Sequence, residues 1–172
     1  MIKNSKLKEK NIHSSVMKKN KREECDFCNF VSGKWKEHRK KYPFEILHGT
    51  NLTISFLSID FPMPAKMHVL VIPKKHYVNL EDIPRKTLHE LIEHVSLVAR
   101  AIRLEHDGCN ILLNDGRDAE QSIMHAHFHL VPRDKGDKIE IELWKRAQIK
   151  QNEFENLNEK MHSLIIKAKS KK

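Results

Sequence analysis

The sequence predicts an α+β fold built on an antiparallel sheet. Strand-like segments dominate the central part of the 172-residue chain, and only one long helical pattern joins them. The order of these segments is a hairpin, a strand, the long helix and two further strands. A chain in which strands outnumber helices in this way fits an antiparallel sheet with helices packed against it.

The first half of the chain supplies the hairpin and the third strand. Residues 44–48 are strand-like and lead into a turn at residues 49–51, after which residues 52–57 are rich in β-formers. A loop with two prolines is expected over residues 58–65. Residues 67–72 form an apolar run of strand length, which we expect Pro73 to close.

The second half begins with the long helix. Asp82 can cap its start and Pro84 suits its first turn. Apolar residues then recur at helical spacing and predict an amphipathic helix: Leu88, Leu91, Ile92, Val95, Val98, Ala99 and Ile102. His89 and His94 lie within this helix without motif partners, so we expect both to lie at its surface or on its flank.

Two more strands follow the long helix. Residues 109–113 predict one strand, and a loop is expected over residues 114–121. Histidine and apolar side chains alternate from residue 125 to residue 130. Residues 125–131 therefore predict a last core strand stopped by Pro132. Residues 151–170 are typical of a helix that is mostly polar.

The basic charge of the chain is concentrated in its ends. Residues 1–22 carry a net charge of +7 and residues 160–172 a net charge of +5, whereas the whole chain carries +9. The stretch between them is therefore mildly acidic. Such tails favour solubility, or a loose and nonspecific attraction to nucleic acid or anionic surfaces; they lack the interleaved aromatic residues of a specific nucleic-acid site.

The pattern divides into a basic N-terminal extension (1–22), one domain (23–134) and a C-terminal helical extension (135–172). An apolar run of signal-peptide length is absent from the N-terminus, and no segment approaches the ~20 apolar residues of a membrane span. Three cysteines without a signal peptide favour a reducing compartment. We therefore expect a cytoplasmic protein.

The strongest chemical feature is a row of three histidines, His125, His127 and His129. Alternate residues of a strand share one face, so this spacing predicts that the three imidazoles point the same way. Such a row suits a metal or a polyanion such as phosphate. Neighbours two apart on a strand are separated by ~6.6 Å, which makes convergence on a single ion difficult.

A second feature is the pair Cys25 and Cys28, separated by two residues. Alone, this spacing fits a redox pair, half of a metal site or two buried thiols. Cys109 is expected to be a small buried hydrophobic residue.

The His-x-His-x-His row, followed by Leu130 and Val131, resembles the signature of the histidine triad family. The similarity extends to two further blocks, in the order in which the family carries them: residues 60–76, and residues 114–116 followed by residues 121–122. It covers about residues 25–133. The resemblance implies a five-stranded antiparallel sheet with helices, usually assembled as a homodimer, and such pairing would also cover an edge strand.

The resemblance also implies roles for individual residues. His127 matches the nucleophile that attacks the α-phosphorus of a nucleotide and forms a nucleotidyl-histidine intermediate. His129 and His68 match phosphate contacts, and Gln121 and Ser122 match residues that orient phosphate oxygens and the leaving group. Two further positions match substrate contacts, a polar phosphate-side residue and an acid that binds the ribose hydroxyls: Asn114 and Asp60.

Cys25, Cys28, His76 and His125 together resemble the structural zinc site of some family members, and no organic cofactor is implied. The implied activity is hydrolysis of a nucleoside phosphoramidate or a dinucleoside polyphosphate, with a purine-type nucleotide as substrate. The alternative is a nucleotide-binding regulatory or scaffold protein with little turnover.

Two features distinguish this chain from particular branches of the histidine triad family. His129 stands where the uridylyltransferase branch carries glutamine, which favours hydrolysis over transfer. The DNA-repair branch carries an added C-terminal zinc finger, whereas residues 134–172 of this chain contain no cysteine that could form one.

Overall fold

The computed structural model describes residues 25–34, 45–58, 67–141 and 150–170, and a five-stranded antiparallel sheet organises them. The strands are β1 (His48–Gly49), β2 (Thr53–Leu57), β3 (Val69–Pro73), β4 (Gly108–Leu113) and β5 (Phe128–Arg133). The helices are α1 (Asp26–Val31), α2 (Arg85–Ile102) and α3 (Gln151–Lys169). The strand order is β1-β2-β3-β5-β4, and the predicted α+β class is confirmed.

The two faces of the sheet are buried by different helices, because successive side chains of a strand point to opposite faces. On one face, Val69, Val71 and Leu130 pack with the apolar stripe of α2. On the other face, strand residues pack with α1: Ile54, Phe56, Leu70 and Ile72 meet Phe27 and Phe30. His129 lies directly opposite Leu70 across β3 and β5, so it belongs to the α1 face.

Several predicted boundaries are corrected. The first hairpin strand comprises only His48 and Gly49 among the described residues, so the glycine assigned to the turn belongs to β1. Pro73 is part of β3, where it pairs with Thr53. Pro132 does not stop β5, because the strand continues to Arg133. Beyond Leu130, β5 pairs only with β4, so its other edge is unpaired there. Proline lacks a backbone N–H, and this costs little at an unpaired edge.

The start of the long helix also differs from the prediction. A short 3-10 turn (Leu80–Asp82) precedes α2, and Asp82 accepts the Asn79 N–H at 3.3 Å, so it caps that turn instead of α2. Pro84 is the N-cap residue of α2, and its carbonyl accepts the Leu88 N–H at 2.9 Å.

The prediction that His94 lies at the surface is wrong. Its side chain is buried on the β2 side of α2, where Nδ1 is 2.8 Å from Thr53 Oγ1 and Nε2 is 3.0 Å from Ser55 Oγ. Thr53 and Ser55 alternate with the apolar residues of β2, so they face the helix. His89 is exposed, as expected, and lies 3.8 Å from Glu93.

The chain divides into two compact units, Met1–Ile139 and Glu140–Lys172, and the sheet belongs to the first. Helix α3 belongs to the second and is exposed along its length. Within the described ranges, every helix is too short or too polar to cross a lipid bilayer. The predicted extension 1–22 and residues 59–65 of the proline-containing loop, which include Asp60, lie outside the described residues.

Candidate functional site

His127 sits immediately before β5, in a buried position on the α1 side of the sheet. The ring is 3% exposed, and its Nδ1 is 2.7 Å from the carbonyl oxygen of His125. A carbonyl oxygen can only accept a hydrogen bond, so Nδ1 carries the proton in the neutral ring. The lone pair of the neutral ring is therefore on Nε2, which is the form that can act as a nucleophile.

His129 and His68 adjoin His127. The ring centroids of His127 and His129 are 4.6 Å apart, and those of His129 and His68 are 5.1 Å apart with the planes stacked. His68 Nε2 lies 3.0 Å from His129 Nδ1, so these two nitrogens share one proton. The pKa of His129 is lowered to about 4, mainly by burial, with smaller contributions from the neighbouring His127 and His68.

Burial also lowers the pKa of His127, while the hydrogen bond to the His125 carbonyl opposes that shift.

The predicted row of three histidines is only partly regular. His127 and His129 are adjacent, but strand β5 begins at Phe128, and His125 lies in a bend where its ring points to a different cluster.

The loop between β4 and the triad is held by Gln121. Its Oε1 accepts the Gly116 N–H at 2.9 Å, and its Nε2 donates to the Val78 carbonyl at 2.8 Å. Gly116 (φ +101°) and Glu120 (φ 63°) both adopt left-handed backbone conformations in this loop. The side chain of Gln121 is 4% exposed and fixes the loop, which leaves one Nε2 hydrogen for another acceptor.

Asn114 and Ser122 occupy the two ends of this loop. Asn114 Nδ2 donates to the Glu120 carbonyl at 3.4 Å, and Ser122 is exposed. Ser122 lines a cavity of about 420 Å³ together with Arg117 and Asp26, and Arg117 brings a positive charge to it. Sequence reasoning did not single out Arg117, because an isolated arginine in a loop carries no motif.

The cavity also borders a cluster of four potential metal ligands, Cys25, Cys28, His76 and His125. Their ligand atoms all lie within 4.8 Å of one another. His125 Nδ1 is 3.5 Å from Cys25 Sγ and 3.7 Å from Cys28 Sγ, and His76 Nδ1 is 3.4 Å from Cys28 Sγ. The structure therefore brings together residues separated by as many as 100 positions in the sequence.

The geometry of this cluster fits zinc. Bond lengths of about 2.3 Å to sulfur and about 2.0–2.1 Å to nitrogen give sulfur–nitrogen edges of about 3.6 Å in a tetrahedron. The three distances in the cluster match that edge. In addition, His125 Nε2 lies 2.9 Å from the Pro73 carbonyl, so this nitrogen carries the proton and Nδ1 keeps its lone pair for a metal.

Phe27 connects the two groups of histidines, and sequence reasoning missed it. Its ring meets the His127 ring edge-to-face at 5.1 Å and the His125 ring at 5.7 Å. The sequence did hold one signal for Phe27, which is its position between Cys25 and Cys28. A residue between two members of a cluster of potential metal ligands must lie close to that cluster.

Comparison with known proteins agrees with this geometry. The model of the HIT domain matches residues 39–136. The chain belongs to the HIT family. Adenosine 5'-monophosphoramidase hnt1 of Schizosaccharomyces pombe is 31% identical to this HIT protein over 82% of the chain and 98% of that relative.

Two solved structures extend the comparison. A histidine triad nucleotide-binding protein from Candida albicans has a TM-score of 0.69 and 31% identity, covering 84% of this chain and 99% of that one. A zinc-bound histidine triad family protein from Mycobacterium smegmatis has a TM-score of 0.59 and 34% identity, covering 77% and 88%. These matches confirm the family resemblance and the five-stranded fold that it implied.

Proposed function

We propose that the protein is a nucleotide hydrolase that cleaves at the α-phosphate of a nucleoside phosphoramidate or a dinucleoside polyphosphate. The observation that carries the proposal is the hydrogen bond from His127 Nδ1–H to the His125 carbonyl. It fixes the tautomer in which Nε2 of a buried imidazole is free of a proton. The S. pombe relative is named as a monophosphoramidase, which supports the phosphoramidate as a substrate class.

In the first step, His127 Nε2 attacks the α-phosphorus and the bond from phosphorus to the leaving group breaks. The bond that forms joins phosphorus to nitrogen, giving a nucleotidyl-histidine. In the second step, water attacks the same phosphorus and the phosphorus–nitrogen bond breaks. The leaving group takes up one proton as it departs, and the water gives up one proton as it attacks. The products are a nucleoside monophosphate and the protonated leaving group, and the balance consumes one water molecule.

Neighbouring side chains stabilise the charge on the phosphate oxygens. When His68 Nε2–H donates to His129 Nδ1, His129 keeps an Nε2–H donor for a phosphate oxygen. Gln121 positions the loop through Gly116 and contributes its remaining Nε2 hydrogen. Ser122 and Asn114 contribute at the leaving-group and phosphate sides, and Asp60 binds the ribose hydroxyls of a purine-type nucleotide.

A structural zinc ion held by Cys25, Cys28, His76 and His125 would fix the position of the triad. His125 supplies both Nδ1 to this cluster and its carbonyl oxygen to His127, so the cluster and the nucleophile share one residue. The ion would supply stability and take no part in the phosphoryl chemistry.

We further propose that the protein acts as a homodimer of a HIT domain (23–134) with a basic N-terminal extension and a C-terminal helical extension. Ile111 of β4 is 46% exposed, and β4 is an edge of the sheet, so it offers backbone groups and apolar surface to a second copy.

Incubation with an adenosine phosphoramidate tests the activity. We expect release of AMP well above the buffer background, and the same rate for His89→Asn, whose exposed ring lies on α2. A dinucleoside polyphosphate assayed in parallel separates the two substrate classes. Absence of product from both substrates at micromolar protein would contradict the hydrolase and favour a nucleotide-binding protein.

A further inference from the structure

Helix α3 carries an apolar stripe that no described residue covers. Its four members recur at alternating intervals of three and four residues, which is the spacing of the a and d positions of a heptad. Each of them is about half exposed: Phe154, Leu157, Met161 and Leu164. Ile165 borders this stripe, whereas Ile166 lies on the opposite side of the helix.

Such a helix needs a partner. In proteins, most of the stability of a helix comes from packing of its apolar face against other structure, and not from intrinsic helix propensity. The face opposite the stripe of α3 is largely polar, with Asn152, Glu159 and Ser163 among its residues. The stripe is therefore the surface through which packing can stabilise α3.

The charges along α3 select the orientation of that partner. The acidic residues Glu153, Glu155 and Glu159 lie in its N-terminal half, and the basic residues Lys160, Lys167 and Lys169 lie in its C-terminal half. A parallel second copy would bring like charges together, whereas an antiparallel copy brings opposite charges together. We propose that, within the proposed homodimer, α3 packs antiparallel on α3 of the second copy of this chain through the apolar stripe.

Charge also selects the register. When Phe154 packs opposite the partner's Leu164 and Leu157 opposite the partner's Met161, Glu153 flanks the stripe beside the partner's Lys167. The two-fold symmetry repeats that ion pair at the other end. The central Lys160 then meets only its own symmetry copy.

A shift of the partner by one heptad is less favourable in either direction. One direction places Lys160 beside the partner's Lys167 at both ends, which is repulsive. The other direction places Glu153 beside the partner's Lys160, but only Phe154 and Leu157 then remain opposite apolar residues of the partner. The register that combines four apolar layers with two Glu–Lys pairs is therefore preferred. Because the interface has only four apolar layers and its ion pairs lie at the rim, we expect an association that weakens as salt is added.

Zero-length carbodiimide cross-linking of the full-length protein tests this arrangement. Equal amounts of unlabelled and ¹⁵N-labelled chains are mixed, cross-linked at low salt and digested. We expect a peptide pair joining Glu153 to Lys167 that includes the mixed-isotope species. Within one helix these residues are about 21 Å apart along the axis, so such a link can only form between chains.

Variants provide matched controls. Met161→Asp on the stripe should reduce the yield of the link at least about fivefold, whereas His162→Asp, next to it on the polar side, should leave the yield unchanged. Reversal of both charges, Glu153→Lys with Lys167→Glu, should retain a link between the same two positions. Because the wild-type result does not depend on any variant folding, a negative result is interpretable.

Three outcomes would overturn the proposal. They are the absence of the link between chains, links that instead join α3 to residues 25–141 of the same chain, and binding of the protein to phosphatidylserine vesicles without the link. The hydrolase proposal does not depend on α3, since AMP release is measured independently of the cross-link.

Discussion

Replacing His94 by alanine is expected to destabilise the protein by about 3 kcal/mol. The ring is 3% exposed and makes two buried hydrogen bonds, to Thr53 and Ser55. Each bond contributes about 1 kcal/mol, and the cavity left by a buried ring costs at least a similar amount. Thr53 continues the network, since its hydroxyl is 2.9 Å from that of Thr50, which donates to Glu90.

Urea unfolding measures this loss. The matched control is His89→Ala, because His89 lies on the same helix but its side chain is 76% exposed. We expect the control to change the free energy of unfolding by less than about 0.5 kcal/mol. If His94→Ala lowered the free energy of unfolding by less than about 1 kcal/mol, the reasoning would be refuted. Such a result would mean that the two buried hydrogen bonds of His94 make no net contribution to stability.

The same residue makes stability depend on pH. The pKa of His94 is lowered to about 4, mainly by burial and to a smaller extent by the nearby His48. An unfolded histidine has a pKa of about 6.5, so the unfolded chain binds the extra proton first. The contribution of His94 is therefore complete above pH 6.5 and is lost as the pH falls towards 4, with a slope of at most about 1.4 kcal/mol per pH unit. In His94→Ala this part of the slope should disappear.

Three further predictions concern metal, assembly and the charged ends. Protein purified without chelator should hold about one zinc per chain, and Cys28→Ser should lose it together with stability; metal analysis below about 0.2 zinc per chain in the wild type would count against the site. Light scattering at tens of micromolar should give twice the 20.3 kDa chain mass, and a value near one chain would contradict the dimer. Any binding to nucleic acid should be weak and strongly salt-dependent, and deletion of residues 1–22 and 160–172 should abolish it; sequence-specific binding after the deletion would show that the tails are not the cause.

The fold class was predictable because the hydrophobic patterns are strong. The stripe from Leu88 to Ile102 marks α2, and the continuous run from Val69 to Ile72 marks a strand buried on both faces. Sequence patterns could not predict that His94 is buried, because a histidine in a helix is expected to face solvent unless its hydrogen-bond partners are known. Those partners lie about 40 positions away, on β2, and only the packing of α2 on the sheet brings them together.

The candidate site was predictable in composition more than in geometry. The spacing of His125, His127 and His129 suggests a regular strand, but His125 belongs to the cluster of four potential metal ligands and β5 starts only at Phe128. Gln121 was expected to meet phosphate, yet its side chain is largely used by the backbone of its own loop and by Val78. These backbone contacts are tertiary, so no local motif encodes them.

The most direct test of the central claim is the fate of His127 during turnover. Wild-type protein mixed with an adenosine phosphoramidate and quenched without acid should carry one nucleotide on the peptide that contains His127. His127→Asn should keep the fold, lack that adduct and lose several orders of magnitude in rate, whereas His129→Asn should lose less. If His127→Asn retained more than about a tenth of the wild-type rate, a barrier change below about 1.4 kcal/mol, then His127 would not be the nucleophile.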